Sequence, residues 1–494
     1  MENNILGKKY RYILGYTGII MMIVGFSMFI PLLIYPIYPA EKIEVFSLVI
    51  TAVCSVILGF GAKKLFLKEN DNVKLSIQEG GVTVVFSWIT AVIICALPFV
   101  ISGQLNFVQA VFEAVSGLTT TGLSVVNVEK TSNIFLLWRS VMQFLGGAGL
   151  AVIMLSAIIG PNGVGLYNAE ARSDRLMPNI KKSTKLIMII YVGYIIGGII
   201  LYILFGMPWF DAVNHSIAAV STGGFSTKTA SIGYYESVSI ELITIILMIL
   251  GTINFAAHAV LLKGKIKNFC RIGEIRFMTL LFFISIPITF YFCTINLFES
   301  VSKAWRVAAF EIVSAVSTTG FSTVGYGNWN GFGAFMLIIV MIIGGGSGST
   351  AGGMKHYRVY VLLKSLWWNI KSFILPKRIF KQYYVIRPEG KYYVNDKHIN
   401  EISSIITVYL SMFVVCVLIL LAHGYEIKES MFEIASCLST VGLSMGITSP
   451  DAPSFVLITE SAAMFMGRLE FIVVFYAFLR IIKDIRFVFS KEKF

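Results

Sequence analysis

The chain has 494 residues, 56% of them hydrophobic and 14% charged, with 40 Lys and Arg against 27 Asp and Glu. A mean hydropathy of +0.78 excludes an ordinary water-soluble domain. The net charge of +13 then reads as a membrane-topology signal first, and no nucleic-acid partner is expected.

Apolar runs near the ~20 residues a helix needs to cross a bilayer recur along the chain. Ten are read, near 11–37, 43–66, 82–103, 133–160, 184–206, 237–262, 276–298, 331–353, 402–424 and 455–482. The first is too long for the apolar part of a secretory signal, so no cleavable signal is expected. With the N-terminus inside, the outer connections carry only Lys42, Lys130, Lys228, Lys303, Arg306 and Lys428. Arg139 and Arg468 fall in or beside spans, and the remaining 32 Lys and Arg lie on the inner side. That asymmetry predicts cytoplasmic N- and C-termini. It secondarily offers a face to an anionic partner or membrane lipid. Cys54, Cys95, Cys270, Cys293, Cys416 and Cys437 form no C-x-x-C pair and read as apolar filler. His356, beside Lys355 at a span end, reads as a headgroup or partner contact.

Four stretches align without gaps: FEAVSGLTTTGLS (112–124), NHSIAAVSTGGFS (214–226), FEIVSAVSTTGFS (310–322) and FEIASCLSTVGLS (432–444). They share [ST]-T-x-G-[LF]-S, with Gly122, Gly224, Gly320 and Gly442 in one column. Each lies between two spans on the outer side. The apolar segment before each glycine is about three turns long, too short to cross and suited to a re-entrant half-helix. The expected fold is therefore an all-α polytopic membrane protein. Ten transmembrane helices form four span–half-helix–span repeats around one pore, after two extra N-terminal spans. The boundaries are 1–75 for the extra spans and 76–180, 181–272, 273–398 and 399–494 for the repeats, the third carrying the glycine-rich gate and a cytosolic hairpin.

The chemistry follows from the backbone. A dehydrated cation needs several oxygen ligands at once, and rings of backbone carbonyls supply them. Glycine permits the conformation that aims those carbonyls and leaves no Cβ in the way. The candidate filter comprises Thr119, Thr120, Thr121 and Gly122; Ser221, Thr222, Gly223 and Gly224; Ser317, Thr318, Thr319 and Gly320; and Ser439, Thr440, Val441 and Gly442. Leu123, Phe225, Phe321 and Leu443 flank it. K+, as the transported ion, is assigned to Thr120, Thr121, Thr222, Gly223, Thr318, Thr319, Thr440 and Val441. A single copy of such a motif would more readily be a small-residue packing site.

GGGSGSTAGG at 344–353 follows the apolar run FMLIIVMII (335–343). Irregular backbone at that depth has to be buried in protein or border water. The segment, with Gly344, Gly345, Gly346, Ser347, Gly348, Ser349, Thr350, Gly352 and Gly353, is read as a movable gate under the filter. A phosphate cradle fits poorly: Lys355 follows two glycines, but His356 stands where a P-loop has Ser or Thr. No enzyme activity is expected.

The four turns, GGGSGSTAGGMK (344–355) and MGRLEF (466–471) resemble the membrane subunit of Trk/Ktr-type potassium uptake systems, the TrkH/KtrB/HKT superfamily. The two extra N-terminal spans favour the TrkH-like branch. The resemblance implies a bacterial plasma-membrane homodimer with one pore per protomer. It also implies a cytosolic ring of nucleotide-binding RCK (KTN) subunits of the TrkA type. This chain lacks G-x-G-x-x-G after a strand, so no nucleotide site is expected on it. No turn carries TVGYG, which implies looser selectivity; in related plant transporters a Ser in the first column goes with Na+ preference, and Gly122 argues for K+. A Na+-conducting relative, a Na+/K+ or H+/K+ symporter, and a secondary carrier with broken helices are the alternatives.

Arg468, in the last span, is read as facing the pore below the ring, against the alternative of a structural arginine on a carbonyl or carboxylate. Glu113, Glu311 and Glu433, with His215 in the second repeat, share a column nine residues before the glycine. An anchoring role by hydrogen bonding is favoured over attraction of cations. Asp211 and Asp451 read as solvent-exposed, and 383–394 as a β-hairpin around Pro388–Glu389–Gly390.

Overall fold

A computed structural model describes residues 2–67, 77–148, 180–374 and 383–491. Among these the chain is helical apart from one two-stranded hairpin. In chain order the helices are α1 (Glu2–Ser27), α2 (Lys42–Phe66), α3 (Ile77–Ile101), α4 (Phe107–Leu118), α5 (Asn133–Ala148), α6 (Ile180–Leu204), α7 (Trp209–Val220), α8 (Val238–Thr252) and α9 (Phe255–Leu262). There follow α10 (Ile266–Phe269), α11 (Gly273–Phe292), α12 (Val301–Ser317), α13 (Gly331–Ile343), α14 (His356–Ile374), α15 (Asp396–Ala422), α16 (Ile427–Ser439), α17 (Ser454–Leu469) and α18 (Phe471–Lys491). The protein is a multi-pass membrane protein. Six described helices are long and apolar enough to cross, and eight spans result if α8–α9 and α17–α18 are each one bent span. Of the other two expected runs, 133–160 extends beyond the described residues, and 331–353 is a 13-residue helix followed by irregular backbone.

The chain divides into two compact units. The first holds residues 1–119, 124–189 and 450–494. Here α1 and α2 lie close enough that a Cβ on Gly18 would overlap the Gly59 carbonyl and one on Gly59 the Gly18 carbonyl. Small residues let the backbones approach, the packing that replaces a hydrophobic drive in lipid. Ser55 donates to the Met21 carbonyl across that seam at 2.8 Å. Lys9 pairs with the buried Glu79. α4 opens on a capping box in which Asn106 accepts from the Gln109 amide while the Gln109 side chain accepts from Asn106. α17 packs on α4 and breaks at Glu470 (φ 61°), so that α18 turns by 102°.

The second unit holds 120–123 and 190–449. α8 ends at Thr252 and α9 leaves at 106°, its first turn capped by Asn254, which accepts from the Ala256 amide at 2.6 Å. The expected hairpin forms from β1 (Tyr384–Arg387) and β2 (Gly390–Tyr393), antiparallel with Tyr384 opposite Tyr393.

The short helices expected before the four glycines are α4 and α7 at 12 residues, α16 at 13 and α12 at 17. The third is longer than the expected three turns, capped at its N-terminus by Ser300. All four end immediately before or within the Thr-Gly turns.

Candidate functional site

The turns owe their shape to how these helices stop. In the second, third and fourth, the residue before the glycine donates its N–H to the carbonyl five back: Gly223 to Ala218, Thr319 to Ser314, Val441 to Ser436, at 2.8–3.0 Å. The preceding threonine donates three back, Thr222 to Ala219, Thr318 to Ala315 and Thr440 to Cys437. This is a Schellman ending, whose left-handed position normally takes glycine. Here a threonine takes it in all four turns: Thr120, Thr222, Thr318 and Thr440 have φ between 51 and 56°. A β-branched residue there is an outlier costing on the order of 1–3 kcal/mol, sustained only by its surroundings. Two residues on, Gly122, Gly224, Gly320 and Gly442 have φ of 98, 70, 82 and 97°.

The four turns close into a ring within the second unit. A Cβ on Gly122 would strike the carbonyl oxygen of Gly223, one on Gly224 that of Thr319, one on Gly320 that of Val441, and one on Gly442 that of Thr121. Each glycine admits the carbonyl that precedes the next glycine, and the fourth returns to the first. Glycine is required twice over, by its φ and by that approach. Thr119, Thr120, Thr121, Ser221, Thr222, Ser317, Thr318, Thr319, Ser439, Thr440 and Val441 are all buried, and Leu123, Phe225, Phe321 and Leu443 behind the glycines are no more than 2% exposed.

The column nine residues before the glycine ties each turn down. Glu113 accepts from Ser124 Oγ (3.0 Å) and the Val125 amide (3.1 Å), Glu311 from the amide and hydroxyl of Thr323 (both 2.8 Å) and from Tyr326, and Glu433 from Ser444 Oγ (2.8 Å) and the Met445 amide (3.1 Å). His215 Nε2 meets Ser226 Oγ at 2.9 Å. All four side chains are fully buried, so the column anchors the chain leaving the ring rather than facing a vestibule. In the first turn, buried Arg139 from α5 joins, its Nε 2.7 Å from Glu113 and its Nη2 2.9 Å from Ser124 Oγ. Two expectations are corrected. Asp211 is 4% exposed, because Thr227 and Tyr235 hydroxyls donate to it and Lys228 pairs with it. His356 is 1% exposed, its ring against Phe277, so it meets no headgroup. Asp451 is exposed as expected.

The glycine-rich segment is a folded loop whose backbone groups find partners. Gly345 donates to Gly352 and Gly346 to Thr252, both at 3.1 Å, and Phe255 to Gly348 at 3.1 Å. Ser349 Oγ donates to Gly346, and the Ser347 amide to buried Glu274 at 3.0 Å. Gly344, Gly348 and Gly353 have positive φ, and a Cβ on Gly344 would overlap Gly352. The loop touches the ring directly. The Gly352 amide donates to Thr318 Oγ1 at 2.7 Å, and Thr350 Oγ1 donates to the Gly251 carbonyl at 2.8 Å, with the Val220 carbonyl at 3.1 Å and Thr222 Oγ1 at 3.2 Å. Among the described residues, the buried hydroxyls of Thr120 and Thr440 have no hydrogen-bond partner. Arg468, half-buried in the first unit, donates to the Gly146 carbonyl at 2.6 Å.

Sequence reasoning missed Arg139, Glu274 and the break at Gly251–Asn254. A charged residue inside an apolar run was the available signal for Arg139. Glycine followed by a helix-capping asparagine was the signal for the break.

A buried ring of backbone carbonyls on a multi-span helical scaffold is the setting of a membrane transport protein. Residues 47–485 match the TrkH family of cation transport proteins, and the chain belongs to that family. It is 32% identical over 477 residues to an uncharacterized cation transporter of Methanocaldococcus jannaschii, covering 95% of this chain and 96% of the relative. It is 30% identical to the Trk system potassium uptake protein TrkG of Escherichia coli (strain K12), covering 93% and 96%. The crystal structure of the potassium transporter TrkH from Vibrio parahaemolyticus superposes with a TM-score of 0.83 at 26% identity, covering 94% of this chain and 98% of that one.

Replacing Glu311 by Ala strands the buried Tyr326 hydroxyl, at about 1–3 kcal/mol, and frees the half-buried Thr323 amide and hydroxyl, which water can answer at lower cost. The expected outcome is a lower unfolding temperature in detergent, with Glu311→Gln milder because its amide oxygen still accepts. Unchanged melting for Glu311→Ala would remove the anchoring role.

Proposed function

We propose that the chain is the K+-selective pore-forming subunit of a Trk-type potassium uptake system. The observation carrying the reading is the closed ring of four Thr-Gly turns. An ion stripped of water needs many oxygens at fixed spacing, and the carbonyls of Thr121, Gly223, Thr319 and Val441 present one from each turn. The threonine hydroxyls one residue earlier add a second oxygen set. K+ is the transported cargo; its relatives' names as potassium uptake proteins support that choice.

In this reading the segment 344–353 is the gate. Thr350 and Gly352 hold it against the threonines of two adjacent turns, Thr222 and Thr318, and glycines let it change shape at little cost. The lysine and arginine distribution supports cytoplasmic termini and ten spans. A homodimer and a cytosolic ring of RCK (KTN) subunits that pulls on α14 complete the proposal, on the strength of the family resemblance. The family resemblance further supports Arg468 as a positive charge that opposes cation passage.

Reconstituting the full chain in vesicles and recording K+ or Rb+ against Na+ uptake tests the reading. Uptake driven only by Na+ or protons would replace it with a coupled symporter, and saturation at low turnover without single-channel currents would favour a carrier.

Three variants sharpen the test. Gly320→Ser pushes a side chain onto the Val441 carbonyl, so the K+/Na+ permeability ratio is expected to fall by about tenfold, equal to about 1.4 kcal/mol of discrimination. An unchanged ratio at normal membrane levels rejects the ring position.

Deleting residues 345–350 is expected to speed Rb+ uptake at equal protein; unchanged uptake from a well-folded chain rules out the gate. Arg468→Ala is expected to raise cation conduction. A drop in flux with folding intact would instead make its bond to Gly146 structural.

A further inference from the structure

A cavity of about 310 Å³ opens where α11, α14 and the hairpin meet. Arg271 lies just before α11 and Arg276 in its first turn, Lys364 and Trp368 lie on one face of α14, and Tyr383 and Tyr384 at the entry to β1. No carboxylate lines it, and its three cations form no ion pair among the described residues. Arg276 Nε donates to the Cys270 carbonyl at 3.0 Å, which fixes the plane of its guanidinium. Lys364 Nζ sits 4.8 Å from the Tyr360 ring centre, held by a cation–π contact, and Lys391 lies 5.0 Å over Tyr384. Planar guanidiniums beside an ammonium suit the oxygens of a phosphate group. A nucleotide base finds no slot, because Trp368 and Tyr383 already stack on one another at 4.7 Å and 15°.

The outer face of α14 says where the phosphate comes from. Leu363, Leu366, Trp367, Ile370 and Ile374 follow helical spacing, and all five are exposed. Lys371 lies 5.0 Å over the Trp367 ring. An exposed apolar stripe edged by tryptophan and lysine is the signature of a helix lying at a membrane interface. We propose that this cavity binds the phosphate headgroup of an anionic phospholipid whose acyl chains run along the α14 stripe. α14 begins three residues after Gly353. A bound lipid therefore ties the helix leaving the glycine-rich loop to the base of α11 and to the hairpin, and biases the loop's position. That regulatory consequence rests on the pore reading above; the binding site does not.

The test measures phosphatidylglycerol and phosphatidylcholine retained by the purified full chain, by native mass spectrometry, for the wild type and for R271Q/R276Q/K364Q. The wild type is expected to prefer phosphatidylglycerol, and the triple variant to lose that preference by about tenfold or more. K63Q/K64Q, which removes two cations from the end of α2, is expected to keep it. Retained preference in the triple variant, or equal loss in the α2 variant, overturns the site. Displacement of the lipid by inorganic phosphate alone would assign the cavity to a free anion instead. Loss of the preference only when a second copy of the chain covers the stripe would make it a protein interface. Should the triple variant melt early, Arg271→Gln, at an exposed position, carries the same expectation at about threefold. Rb+ uptake in vesicles of either lipid is expected to depend on phosphatidylglycerol in the wild type and not in the triple variant. Absence of uptake in every vesicle would fail the pore reading while the binding measurement still decides the site.

Discussion

Four threonines held in left-handed backbone, each followed two residues later by a glycine, are the constraint on which the structure turns. None of these conformations would persist in a free peptide. At on the order of 1–3 kcal/mol per strained threonine, the ring stores an energy comparable to the net stability of a small domain. The surroundings supply the restraint. A fully buried glutamate or histidine reaches across from each short helix to the chain beyond the glycine, and a buried Leu or Phe wedges behind it. Each hydrogen bond contributes about 0.5–1.5 kcal/mol, and more where the acceptor is charged, so the several bonds each glutamate accepts are of the order of the strain they oppose. The short helices deliver those anchors and the spans hold the short helices.

The glycine-rich loop depends on the same ring. It has no regular ladder, and each of its amides has to be answered by an irregular neighbour. The break between α8 and α9 provides one set of acceptors at Gly251 and Thr252, Glu274 provides another, and the ring threonine Thr318 completes it. The loop is thus wedged between interrupted helices, with hydrogen bonds answering its backbone in place of a regular ladder. Among the described residues, Thr120 and Thr440 keep unpartnered hydroxyls while Thr222 and Thr318 are engaged by the loop, which also packs against Ser439 and Thr440 at Gly352.

The ring was legible in the sequence because its requirement repeats. One Thr-x-Gly turn is uninformative, and four in one column are not, since φ and close approach leave glycine no substitute at Gly122, Gly224, Gly320 and Gly442. The hairpin was legible for a similar local reason, a Pro-Glu-Gly turn between tyrosine-rich strands. The breaks at Asn254 and Glu470 were not, since hydropathy averages over a bend as readily as over a straight helix. Asp211 was misread because its partners, Thr227 and Tyr235, arrive from a loop whose path no local pattern fixes. His356 was misread because Lys355 beside it suggested a water-facing helix end, whereas the loop folds over the histidine. The carboxylate column was correctly weighted toward anchoring, but what it anchors lies eleven or twelve residues downstream and only the fold brings it there.

One chain supplies all four turns. In a ring made of four identical subunits, any codon change alters every quarter together. Here the residue before the glycine is already Thr, Gly, Thr and Val around the circle, while the carbonyl it contributes is the same. Side-chain identity at these positions can drift one quarter at a time, so evolution can explore the ring in small steps whose effects are a fraction of a symmetric change.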